Sequence, residues 1–176
     1  VLPQVIREFR KRFPAVELSL TEMNTSQQIE ALHNGRIQAG FMRPPRGVTE
    51  AGVSIEPVFR EPLLAAMPGN HPLRRESVLP LRRLANEPFI MIPRQRGPGF
   101  FDHIITLCQR EGFSPHIVLE ASQFHTIIGL VAAGIGISIL PASMARSRIR
   151  GVVFRSISEE AETVLHMAWA KDNRSP

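Results

Sequence analysis

Three short strand candidates, at residues 89–92, 117–120 and 135–140, apolar but for Glu120, Gly136 and Ser138, are separated by two stretches whose apolar residues recur at helical spacing. The first stretch covers residues 101–110 and closes at Gly112. The second carries Phe124, Ile127, Ile128, Val131 and Ala132 behind a candidate N-cap, Ser122, and closes at Gly134. Apolar runs this short suit strands buried on both faces. Strand, helix, strand, helix, strand in that order forces a layered α/β arrangement, with parallel strands beneath their connecting helices.

The opening of the chain follows the same theme. Leu2, Val5, Ile6, Phe9 and Phe13 recur at helical spacing up to Pro14, and Val16, Leu18 and Leu20 then alternate with Glu17 and Ser19 as in a strand. Thr25 with Gln28 three residues on forms a capping-box pattern for a helix through Ile29, Ala31 and Leu32, which ends at Asn34-Gly35. Residues 37–42 read as a buried strand, expected to run parallel to 16–20, and Arg43-Pro44-Pro45-Arg46-Gly47 as a loop. The order then breaks. Residues 58–67 form a long strand candidate interrupted by Arg60-Glu61. A turn follows at 68–72, a leucine-rich stretch at 79–84, and two further strands at 152–157 and 164–170. There are too many strands, too irregularly ordered, for one doubly wound sheet. The pattern predicts an α/β protein of two small Rossmann-like lobes.

The 176 residues suffice to bury a core, and 43% apolar with 21% charged residues is ordinary for a globular domain. The net charge of +5 is carried almost wholly by arginine, since only Lys11 and Lys171 are lysines. The basic residues are scattered, as in Arg10-Lys11-Arg12, Arg74-Arg75, Arg82-Arg83 and Arg146-Ser147-Arg148, with no interleaved aromatic residues to stack on bases. That is a solvated surface rather than a nucleic-acid face. No apolar run approaches a membrane span, and the first residues do not read as a signal peptide. Cys108 is the only cysteine, which excludes a disulfide within the chain and fits a reducing, cytoplasmic setting. The chain opens inside a helix and closes soon after a strand, so both ends read as trimmed.

Catalytic patterns are lacking. His33, His71, His103, His116, His125 and His166 show no metal-ligand spacing, and His103 and His125 are expected on helices as solvent-facing or satisfied side chains. Gly97-Pro98-Gly99 and Gly134-Ile135-Gly136 do not match phosphate-cradling loops, and Ser138 and Ser143 lack a nucleophile elbow. No enzyme activity, metal or cofactor is expected.

Several stretches, in order along the chain, resemble the effector-binding domains of LysR-type transcriptional regulators. They are Leu2-Pro3 through Phe9 to Phe13-Pro14-Ala15-Val16-Glu17-Leu18, Glu30-Ala31-Leu32 through Gly35-Arg36-Ile37-Gln38-Ala39-Gly40-Phe41, and Asn70-His71-Pro72-Leu73. The most specific is Leu130-Val131-Ala132-Ala133-Gly134-Ile135-Gly136-Ile137-Ser138-Ile139-Leu140-Pro141. Glu22-Met23-Asn24-Thr25 and Gly40-Phe41-Met42-Arg43 look most like the muconate- and benzoate-responsive regulators of aromatic and chloroaromatic catabolism. The resemblance implies a type II periplasmic-binding-protein-like fold, two lobes crossed twice by the chain, with a small organic carboxylate between them. The crossings are expected near 60–62 and 163–166, giving lobe I from 1–62 plus 165–176 and lobe II from 63–164. It also implies a winged helix-turn-helix and linker helix preceding residue 1, DNA contact only through that missing part, side-by-side dimers of effector domains, a tetramer in the parent protein, and no membrane partner.

The same resemblance proposes a site. Thr25 and Ser26 open a helix, whose N-terminus suits a carboxylate, although threonine and serine are also ordinary N-caps. The family match assigns ligand contact to Thr25 and leaves Ser26 open. Arg43 directly follows a buried strand, where a guanidinium can grip a carboxylate bidentately; a surface loop is its plainer fate. Pro98, Gly99 and Phe100 match a pocket-lining loop, Gly99 by close backbone approach and Phe100 by packing on an unsaturated ligand, with core packing the alternative. Phe124 is core by spacing and pocket wall by family position; relatives often carry a smaller aliphatic residue there, which implies a tighter or differently shaped pocket. Some relatives hold a second effector near the position of Arg60-Glu61. Glu61 matches, but the arginine is displaced by one, so a hinge salt bridge or solvated pair is expected instead. Further ligand contacts would come from residues before Val1. A transporter's periplasmic solute-binding protein shares the fold and is the competing reading; an enzyme on the same scaffold is the third.

Overall fold

The computed structural model describes residues 2–45, 47, 49–146, 149–158 and 161–172. Arg46 of the predicted loop, Ser147 and Arg148 of the last basic cluster, and residues 173–176 of the expected lobe I lie outside them. The elements run α1 (Leu2–Arg12), α2 (Thr25–His33), β1 (Gly40–Met42), β2 (Val53–Pro68), β3 (Val78–Leu79), β4 (Pro88–Met91), α3 (Pro98–Arg110), β5 (His116–Glu120), α4 (Phe124–Ala132), β6 (Ser138–Pro141), β7 (Val152–Ile157) and β8 (Glu162–Ala170).

The protein has two α/β lobes joined through one long strand. From residue 53 to 62, β2 pairs antiparallel with β8, whose other edge carries β1. From residue 63 onward β2 pairs instead with β6 and β7. The exchange falls at Pro62–Leu63, where the Leu63 N–H donates to the Ala161 carbonyl at 2.8 Å. Proline has no N–H to give a ladder, which suits it to a point where pairing changes.

The second lobe is the alternation read from the sequence. β4 and β5 are parallel with α3 between them, and Ile137, leading into β6, bridges Phe89 in the parallel sense after α4. Phe89, Ile104, Ile127, Ile128, Val131 and Leu140 are fully or almost fully buried there. Gly112 and Gly134 end their helices at φ +81° and +79°, the left-handed conformation that glycine adopts without strain. Cys108 is buried among these apolar residues, and burial pushes its thiol up to about 12. Gly136 is required by close packing. A Cβ on it would lie 2.5 Å from the Pro88 carbonyl oxygen, which already accepts from the Ile137 N–H at 2.8 Å. Gly136→Ala is therefore expected to cost about 1–3 kcal/mol, the usual penalty of overpacking. A fall in the denaturant midpoint with an unchanged m-value would show it.

The first lobe departs from expectation. Its buried core is small: Leu32 of α2, Met42 of β1, Val53 of β2 and Ala168 of β8. β1 covers only the end of the predicted 37–42 run and is antiparallel to β8, because its neighbour is the returning end of the chain and not a strand joined to it by a helix. Residues 16–20 form no strand. Val16, Leu18 and Leu20 have the right alternation, but no described strand lies beside them, and all three are exposed. α1 forms as predicted, with the Phe9 and Phe13 rings in tilted contact at 5.0 Å, yet Val5 and Phe13 of its apolar face are half exposed. His71 explains its turn: Nδ1 accepts from the Leu73 N–H at 3.2 Å, and Nε2 lies 3.4 Å from Glu87. Among the described residues, no helix is long and apolar enough to cross a membrane.

Candidate functional site

A cleft of about 450 Å³ lies between the lobes. Three helices begin at its walls: α2 at Asn24 and Thr25, α3 at Gly97, and α4 at Gln123. Each N-terminus concentrates unpaired N–H groups and partial positive charge. The capping box of α2 sits one residue earlier than the sequence pattern predicts. Asn24 Oδ1 accepts from the Gln27 N–H at 2.9 Å, and Gln27 Oε1 accepts from the Asn24 N–H at 3.0 Å. Asparagine caps at least as well as threonine, so the pair shifts. Thr25 becomes the first helical residue, buried at the cleft wall and outside the cap. Ser26 is exposed and does not line the cleft.

The other two helix starts have no side-chain cap. Gly97 has no side chain to offer. Ser122, predicted to cap α4, is displaced by Gln123, and its hydroxyl instead accepts from Arg96 Nε at 3.4 Å. The Gln123 amide reaches across the cleft and donates to Glu22, tying the two lobes at the cleft mouth. Arg96 is exposed on the loop before α3, and that loop is braced by Arg94, which grips Asp102 through two hydrogen bonds of 2.7 and 2.9 Å.

Arg43 lines the cleft, but its guanidinium is already engaged. Nη2 donates to Glu61 Oε1 at 2.9 Å and Nε to Thr163 Oγ1 at 3.1 Å. The second carboxylate oxygen of Glu61 accepts from the Ser143 backbone N–H at 2.7 Å. Glu61, 5% exposed, and Arg43 together thus join the loop after β1, both long strands and the turn after β6. Burial draws Arg43 below the ordinary arginine value, and Glu61 pulls it back. The expected Arg60–Glu61 pair does not form: successive strand residues face opposite sides, and Arg60 is exposed.

Phe100 and Phe124 form one apolar wall, edge to face with centroids 5.3 Å apart and planes at 75°. Phe100 is also part of the core of the second lobe. Pro98 is at the start of α3 and not among the cleft-lining residues. Gly99 lies behind Phe100, where a Cβ would stand 2.4 Å from the Arg43 carbonyl oxygen and 2.5 Å from Pro44. The backbone that approaches Gly99 is therefore the opposite lobe. Beyond Gly99 and Phe100 opens a second cavity of about 300 Å³, faced by Arg43, His103 and His166. The structure thus brings Thr25, Arg43, Phe100 and Phe124 to one cleft and leaves Ser26, Pro98 and Gly99 off its walls. Glu22, Met23 and Phe41, which lie in the stretches that carry the family resemblance but were not assigned ligand contact, also line it, as do Ile92, Arg96 and Gln123, which were not singled out in the sequence. Of these last three only Arg96, adjoining the Gly97-Pro98-Gly99 loop, carried a local signal.

The LysR substrate binding domain family matches this chain over residues 1–176. The chain belongs to that family. AlsR of Bacillus subtilis, a transcriptional regulator, is 35% identical over 178 residues, covering 99% of this domain and 58% of AlsR. Two solved structures share the fold: the BenM effector-binding domain with its effector benzoate, at TM-score 0.86 and 29% identity, covering 99% of this domain and 79% of that chain, and full-length CbnR with its target DNA, at TM-score 0.88 and 27% identity, covering 99% and 61%. BenM is a regulator of Acinetobacter baylyi. The domain spans somewhat more than half the length of the curated relatives it matches.

Proposed function

We propose that this domain is the sensor of a LysR-type transcriptional regulator and binds a small organic anion in the cleft between its lobes. The convergence of three helix N-termini on one cleft, two of them without side-chain caps and flanked by Arg96, carries the reading. Such termini are ready-made anion sites. Phe100 and Phe124 suit a flat, unsaturated body, which favours an aromatic-catabolism metabolite such as muconate. The benzoate-bound BenM domain supports that class.

In this reading the ligand's carboxylates meet the α2 terminus at Thr25 and the Arg96 side of the cleft, while Arg43 shapes the wall from its bond to Glu61. The lobes turn about β2 and β8, near residues 60–63 and 161–166. The ligand moves that equilibrium only by binding one lobe arrangement better than the other. Side-by-side dimers of this domain within a cytoplasmic tetramer would pass the change to winged helix-turn-helix heads outside this chain; CbnR has been solved on its DNA. The regulator names of the relatives weigh against a transporter component.

Isothermal titration against cis,cis-muconate, chloromuconates, benzoate and catechol tests the reading. Saturable binding of a dicarboxylate is expected, weakened about five- to tenfold by Thr25→Val and by Arg96→Ala, each removing one hydrogen bond or charge contact worth roughly 1 kcal/mol or somewhat more. A folded domain that binds none of the four compounds removes the ligand class; binding indifferent to both substitutions removes the site.

A further inference from the structure

Three charged side chains line the cleft: Glu22, Arg43 and Arg96. Arg43 is matched by Glu61 at 2.9 Å. Arg96 and Glu22 remain, and their formal charges cancel. The pull on an anion therefore comes from the helix N-termini and Arg96, and a carboxylate in the same cleft opposes it. Glu22 belongs to the first lobe, three residues before Thr25, and is exposed. Among the described residues it forms no ion pair; its partner is the neutral Gln123 amide of the second lobe. Gln123 follows Ser122, whose hydroxyl accepts from Arg96. Arg96 and Glu22 thus reach neighbouring residues at the start of α4, the cation from the second lobe and the carboxylate from the first. An acidic side chain without a cation of its own adds nothing to anion binding. Its electrostatic effect is repulsion, and repulsion separates ligands as well as attraction does.

We propose that Glu22 sets the charge that the cleft favours, selecting monocarboxylates over dicarboxylates of the same shape. The inference rests on the cleft being the anion site. A first carboxylate goes to the Arg96 side. A second, at the Thr25 end, enters the wall that carries Glu22 and meets a like charge. A dicarboxylate still binds, but with an affinity about tenfold lower than without that charge, near the aqueous end of the range for unit charges a few ångströms apart, because Glu22 is solvated. An uncharged far end escapes the penalty.

The test uses trans,trans-muconate and sorbate, linear dienes of equal chain length that differ by a carboxylate in place of a methyl group. Titration calorimetry gives the ratio of their affinities for the domain and for two variants. Glu22→Gln keeps an oxygen that accepts from Gln123 and removes only the charge. It should shift the ratio about tenfold toward muconate. Gln123→Ala keeps the charge and removes the bond between the lobes. It should move both affinities together and hold the ratio within about twofold. Each ratio is taken within one protein, so a general loosening of the lobes cancels. A Glu22→Gln ratio within about twofold of that of the unaltered domain overturns the proposal and leaves the cleft standing as the anion site. A Gln123→Ala shift as large as that of Glu22→Gln overturns it too, since the bond and not the charge would then discriminate. If neither compound binds the folded domain or its variants, the reading of the cleft falls and the role of Glu22 falls with it.

Discussion

Glu61→Ala is expected to destabilise the domain by about 3–5 kcal/mol, the cost typical of removing one partner from a buried ion pair. The loss strands the Arg43 guanidinium, which is only 22% exposed, and leaves the Ser143 N–H without its acceptor. Glu61→Gln should cost distinctly less, since an amide oxygen still accepts from Ser143 or Arg43. Equilibrium denaturation of the two variants checks this. A Glu61→Ala loss below about 1 kcal/mol would mean that water reaches the pair freely, as at a surface salt bridge. Arg43→Ala strands the buried Glu61 carboxylate in turn and should cost a similar amount, and the double variant less than the sum of the two singles, because the two residues are in direct contact.

Gly99→Ala should act on lobe arrangement more than on folding. Its added Cβ meets the backbone of Arg43 and Pro44, which belong to the opposite lobe and have no flexible end to swing away. Either lobe can tolerate an alanine at the start of α3 by itself. The clash exists only where the lobes lie this close. A penalty of about 1–3 kcal/mol confined to that arrangement weakens cleft ligands by roughly five- to 150-fold. Titration calorimetry would show the lost affinity, with a denaturation midpoint near that of the unaltered domain. Unchanged affinity would show that ligand binding does not require this approach of α3 to the 43–44 backbone.

The second lobe was legible in the sequence because β4 and β6 are buried along almost their whole length, so that residues 89–92 and 137–140 read as short, mainly apolar runs, and because helical spacing separates them from each other and from the half-exposed β5. The same logic failed at 16–20. Alternation there states which face of a strand would be buried, but a strand exists only beside a neighbour, and the sequence does not say whether one is present. The shift of the α2 cap from Thr25 to Asn24 was invisible for another reason: Asn24 and Thr25 both cap well, and the choice depends on Gln27 against Gln28. At the site, Thr25, Phe100 and Phe124 could be named from local pattern and family resemblance. The partnership of Arg43 with Glu61 could not, because 18 residues and a change of element separate them. Nor could the convergence of three helix starts: the sequence marked two of them within a residue, at Thr25 and Ser122, and left the third inside the loop before residue 101, while their common focus is a property of how the two lobes face one another.

The double pairing of β2 bears on how such a domain can diverge. Its first ten residues must satisfy β8 and the small core around Val53, and its last six must satisfy β6 and β7 around Leu63 and Met67. Neither lobe owns a complete sheet. They are not interchangeable cassettes, and recombination between relatives that exchanged one lobe would hand half a strand to unfamiliar neighbours. New ligand preferences are more readily reached by substituting side chains on the loops and helix starts around the cleft, where Arg96, Ser122 and Gln123 are exposed and can change without disturbing either sheet.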